Sequence, residues 1–174
     1  MMLQKQNKRP VLKIEWTTTD KVLEILAFLL LIGMWTLVIV VFSSLPETIP
    51  THYNLAGKAD GFGNKSTIFF LPILSTVLYI GMTILNNYPH IFNYPTTVTN
   101  QSAKQQYTIA TRLIRFLKLI VVLTFSVIVF NTSGLAENWM TGLGSWFLPV
   151  FLGFIYVPLI VAIVRLFRAK PDLQ

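Results

Sequence analysis

The 174 residues contain no cysteine. Disulfides, thiol nucleophiles and cysteine-based metal sites are excluded together. Histidine occurs twice, as His52 and His90, and acidic residues only seven times. No H-E-x-x-H, no G-x-S-x-G and no Walker-type glycine loop is present, which removes the usual signatures of zinc proteases, serine hydrolases and nucleotide-binding enzymes. Charged residues make up 12% of the chain, about half the share of a soluble domain. No catalytic residue, no cofactor and no metal is expected, and the chain reads as something other than an enzyme.

Apolar residues take the place of charge: they are 53% of the chain, and mean hydropathy is +0.61. A membrane-spanning helix needs roughly 20 predominantly apolar residues to cross about 30 Å of hydrocarbon. Four runs qualify, at about 22–42, 68–85, 113–130 and 146–167. Each is too long for a strand, and a helix in lipid satisfies its own backbone groups. The expected fold is all-α: an integral membrane four-helix bundle with a structured extracytoplasmic loop between the first two helices. Residues 1–20 form a basic tail and 21–174 a single four-span domain. The first run is longer than a signal-peptide core, and no A-x-A-like site follows it, so it reads as a retained span. The tail is expected to be poorly ordered to about Val11.

Charge is distributed unevenly between the connections. Lys5, Lys8, Arg9, Lys13 and Lys21 precede the first span. Lys104, Arg112, Arg115 and Lys118 lead into the third, and Arg165, Arg168 and Lys170 end the fourth. These are 12 of the 14 basic residues, leaving only Lys58 and Lys65 on the other side. The positive-inside rule then places both termini in the cytoplasm and loop 45–65 outside the cell membrane. His52 and His90 fall on opposite sides and share no site. The net charge of +7 reflects topology and attraction to anionic lipid rather than nucleic-acid binding, since no continuous soluble basic face is present.

Within the spans, Glu24 sits near a helix N-terminus, where the macrodipole favours a carboxylate and Lys21 offers a partner. Arg112, Arg115 and Lys118 recur every three residues on one face of the third helix. They form an inner-leaflet basic face that either snorkels to headgroups or lines a pocket for an anionic ligand. Pro72, Pro149 and Pro158 are expected to kink their helices. Trp139 and Trp146 read as interface anchors.

Loop 45–65, LPETIPTHYNLAGKADGFGNK, holds more specific chemistry than a tether needs. Pro46 and Pro50 stiffen its exit from the first helix. Gly57 and Gly61 allow turns that other residues resist. His52, Asn54, Asp60 and Lys65 are not required by turns. His52 and Asp60 are expected to interact, directly or through Asn54, as a recognition cluster, whereas His52 and Asp60 with Glu47 lack the spacing of a metal site. The connection between the third and fourth spans has Glu137 as its one charge and lies on the same side, where it could cover this loop.

The pattern LP-x-x-IP-x-H-x-N-x-x-G-x-x-DG-x-x-x-K over residues 45–65 resembles a family of bacterial membrane proteins known only as a domain of unknown function. The same unit forms the amino-terminal part of the Sdp toxin immunity protein, SdpI. The resemblance covers residues 22–86, and Phe92-Asn93-Tyr94-Pro95 through Gln106-Tyr107 and Arg112 is similar to short members of that family. It implies a multi-pass membrane protein with the motif outside. Through SdpI it also implies resistance to a secreted peptide toxin and signalling by holding a repressor at the membrane. SdpI has a further carboxyl-terminal membrane domain for which four spans leave no room. The expected function is a binding, immunity-type or signalling accessory protein whose outer loop recognises a peptide or envelope component. The alternative is a subunit of a transporter or channel. Expected partners are the lipid bilayer, an extracytoplasmic peptide, and a cytoplasmic partner or inner-leaflet lipid along residues 87–118.

Overall fold

Thr17 and Asp20 set the start of the first helix. In the computed structural model, which describes residues 9–169, the Thr17 hydroxyl accepts from the Asp20 amide and the Asp20 carboxylate accepts from the Thr17 amide. This reciprocal capping box satisfies donors that a helix N-terminus otherwise leaves orphaned. Helix α1 then runs Thr18–Val41. Strands β1 (Thr48–Tyr53) and β2 (Ala59–Asn64) follow, and a 3₁₀ turn (Lys65–Phe69), with Asn64 capping the Ser66 amide, leads into α2 (Phe70–Leu85). A second 3₁₀ turn (Pro89–Ile91) precedes α3 (Ala103–Ala136), and α4 is Phe147–Arg168. Four helical segments are long and apolar enough to cross a membrane. Lys5, Lys8 and Lys170 lie outside the described residues.

The all-α expectation misses one element. Loop 45–65 is a two-stranded antiparallel sheet, with Thr48 opposite Asn64 and His52 opposite Gly61, and irregularities on either side of His52. Pro50 in β1 and Gly61 and Gly63 in β2 hide these strands from a propensity reading.

Helix α3 is the axis of the fold: α1, α2 and α4 each pack on it. Its 34 residues span about 51 Å by helical rise, well beyond about 30 Å of hydrocarbon. Hydropathy finds only the middle of it. The first turns are polar because they bury against protein: Gln106 and Tyr107 are almost fully enclosed, and Tyr94, Val98, Ala103, Tyr107, Ala110 and Leu166 form a second core. Arg9 and Pro10, expected to be poorly ordered, join this region. The Arg9 guanidinium donates to the carbonyls of His90 and Phe92, and Tyr107 donates to that of Pro10.

The main core lies at the other end, where Leu31, Met34 and Val38 of α1 meet Ile49 of β1, Ile68, and Val122 and Val129 of α3. The hairpin is therefore rooted in the helical core. Pro72 and Pro149 fall in the first turns of α2 and α4, where a missing N–H costs nothing. Only Pro158 is interior to its helix.

Candidate functional site

The hairpin tip is built by Asn54 and Gly57. The Asn54 side-chain oxygen accepts from the amides of Ala56 and Lys58, and its carbonyl accepts from the Gly57 amide. Asn54 is thus a turn former and does not mediate the cluster. Gly57 has φ +72°, and its carbonyl accepts a 2.8 Å bond from the Leu143 amide in the α3–α4 connection. Asn131 of α3 donates to the Gly142 carbonyl at 2.9 Å. The connection therefore docks on the hairpin tip and is tied to α3.

His52 and Asp60 meet directly, Nδ1 to Oδ1 at 2.5 Å, with side chains 71% and 43% exposed. Gly61 makes room for this, because a Cβ there would lie 2.8 Å from the Cβ of His52. Lys65 does not join them. Its ammonium pairs with Glu47 at 2.9 Å and lies over the Phe42 ring, closing the base of the hairpin. Exposed pairs of this kind contribute little to stability, so the His52–Asp60 contact is a feature of the exposed protein surface rather than a structural clamp. Pro46 is exposed and Pro50 buried. Among the described residues no group of three or more His, Cys, Asp or Glu could hold a metal.

Beneath the hairpin lies a cavity of about 830 Å³. Pro50 and Tyr53 roof it. Phe70 comes from α2, Ile128 and Thr132 from α3, and Phe147 from α4. The walls are apolar, and His52, Asn54 and Ser66 are among the few polar groups on its lining. Tyr53 and Thr132, both on its lining, share a hydroxyl–hydroxyl bond of 2.8 Å. Tyr53, Phe70, Thr132 and Phe147 carry no signal in the sequence, because the lining comes from four elements far apart in the chain. Burial pushes the Tyr53 phenol above its ordinary pKa of about 10, and the Thr132 bond opposes it. A phenol that is harder to ionise folded than unfolded stabilises the fold fully below about pH 10. It loses that contribution as pH rises through the folded value. Tyr53→Phe is expected to cost about 0.5–1.5 kcal/mol at neutral pH. It should also remove a component of the tyrosinate absorbance that titrates above about pH 10, and loss of a component titrating at about 10 instead would place Tyr53 in water.

At the opposite end Asp20 and Glu24 of α1 face the basic stripe of α3. Arg112 Nε lies 3.2 Å from Asp20, Arg115 Nε 3.4 Å from Glu24, and Lys118 Nζ 2.6 Å from Glu24 and 2.7 Å from the Thr83 hydroxyl. Arg115 and Lys118 are 4% and 1% exposed. They do not snorkel to headgroups, and Glu24 pairs with them rather than with Lys21. The signal was present: carboxylates four apart on one helix match bases three apart on another. At the hairpin end, Glu137 accepts from the Ser44 hydroxyl and the Trp139 indole, which hold its carboxyl below the usual range.

Residues 29–76 match a family described as a domain of unknown function, DUF1648. That interval takes in the second half of α1, the hairpin and the start of α2. The chain is also similar to an uncharacterized protein of Archaeoglobus fulgidus, 30% identical in a match of 92 aligned positions that covers 48% of this chain and 50% of that protein. The chain thus spans half the length of this archaeal relative. No solved structure matches.

Proposed function

We propose that this multi-pass membrane protein binds rather than catalyses, and that its hairpin end recognises an amphipathic peptide or envelope component. The observation that carries this reading is the apolar cavity of about 830 Å³ roofed by the hairpin. Its walls suit an aliphatic or aromatic side chain, and the His52–Asp60 pair and Asn54 offer polar partners at the outer surface. The charge asymmetry supports a cell-membrane orientation with the hairpin outside and both termini in the cytoplasm, since among the described residues Lys58 and Lys65 are the only lysines or arginines at the hairpin end. The SdpI-like motif supports a peptide as the ligand and immunity or signalling as the use. A transporter-subunit reading has less support: the buried charges Asp20, Glu24, Arg115 and Lys118 neutralise one another at one end instead of lining a path.

Survival of a sensitive bacterium exposed to a secreted peptide toxin tests this reading. The intact chain should protect. His52→Ala and Asp60→Asn, expressed equally, should protect less, and Leu148→Trp, which fills the cavity, should not protect. Protection that is absent, or indifferent to all three changes, would end the peptide-recognition reading.

A further inference from the structure

At the basic end α3 and α4 leave two adjoining depressions between them. The outer one, about 580 Å³, is bordered by Lys104, Arg165 and Arg168. The inner one, about 170 Å³, has walls of Leu113, Phe116, Pro158 and Val161, together with Arg112, whose charge Asp20 already pairs. Thr108, Ile109 and Arg165 line both, so a cationic mouth opens directly into an apolar groove.

The three cations at the mouth differ from Arg112, Arg115 and Lys118. They are exposed, and among the described residues none of them forms an ion pair. Among the described residues no carboxylate lines either depression, and Asp20, Glu24, Glu47 and Asp60 are paired elsewhere. Arg165 and Arg168 are in the last turn of α4, where the macrodipole favours positive charge. Lys104 is in the first turn of α3, where the macrodipole disfavours it. An anion shared by all three would offset that placement and their mutual repulsion. A soluble anion would need only the mouth. The groove behind it runs along two helices apolar enough to lie in hydrocarbon, at the level where a headgroup meets its acyl chains.

We propose that this mouth and groove bind an anionic phospholipid. Lys104, Arg165 and Arg168 hold its phosphate, and the first part of an acyl chain lies against Phe116, Pro158 and Val161. The site is independent of the hairpin-end cavity and of the ligand proposed there.

The test is native mass spectrometry of the full chain in detergent with equal amounts of phosphatidylglycerol and phosphatidylcholine. The intact chain should retain phosphatidylglycerol preferentially, and the preference should fall by about fivefold for each of Lys104→Gln, Arg165→Gln and Arg168→Gln. Lys58→Gln, at the other end, should leave it unchanged. Val161→Phe narrows the groove from an exposed position without touching charge, and should lower retention of both lipids. Retention indifferent to the three glutamine variants, or no preference in the intact chain, would overturn the site. Displacement of the lipid by an equal concentration of glycerol phosphate would assign the mouth to a soluble phosphate and overturn the lipid reading.

Discussion

Lys118→Met is expected to destabilise the protein by about 3–5 kcal/mol, the scale found when one partner of a buried ion pair is removed. Lys118 is 1% exposed, and its ammonium bonds both Glu24 of α1 and Thr83 of α2 while lying over the Tyr79 ring at 4.5 Å. One side chain thus joins three helices. Without it, Glu24 keeps only Arg115, whose Nε comes within 3.4 Å but lacks hydrogen-bond geometry. The large cost comes from the carboxylate left behind and not from the net worth of the pair. Glu24→Gln combined with Lys118→Met should therefore recover more than half of the loss. Unfolding in mixed micelles with a denaturing detergent measures both variants. Single losses under about 1 kcal/mol, the scale of a solvent-exposed pair, would mean that the pair is hydrated in place.

Gly57→Val should release the hairpin tip from the α3–α4 connection. Gly57 sits at φ +72°, and a Cβ there would collide with the backbone of Gly144. The left-handed conformation alone costs a residue with a Cβ roughly 1–2 kcal/mol, and a β-branched side chain adds to that. The Gly57 carbonyl could then no longer hold the Leu143 amide, so hydrogen exchange at Leu143 should accelerate by at least about tenfold, the factor that 1.4 kcal/mol represents. Ala56→Val, one residue earlier at an exposed position, should leave that exchange unchanged. Equal protection in both variants would mean that the connection does not depend on the tip.

These two sites were unequally legible in the sequence. Hydropathy located α1, α2 and α4 to within a few residues, because nearly every residue in them is apolar. It cut α3 short at both ends, where Gln106, Tyr107, Asn131 and Thr132 bury against protein instead of lipid. The motif loop stood out because His52, Asp60 and Lys65 exceed what a turn needs, and two of the three do meet. Its strands stayed hidden behind Pro50 and the glycines. Lys65 found Glu47 rather than the cluster, since pairing across the hairpin base depends on register, which spacing alone does not reveal. The Asp20–Glu24 and Arg112–Arg115–Lys118 faces were each readable as a helix stripe. That they face each other follows only from α1 packing on α3, a contact across some 90 residues of chain.

The cavity under the hairpin is best tested with an amphipathic peptide carrying a diazirine on an apolar side chain. It would be photolysed with the reconstituted chain, and the adducts mapped by mass spectrometry. Adducts concentrated at Phe70, Ile128 and Phe147, and lost when unlabelled peptide is added or Leu148→Trp is introduced, would establish the cavity as a binding site. Adducts spread evenly over lipid-facing positions such as Val77 and Ile160, with no enrichment under the hairpin, would contradict it.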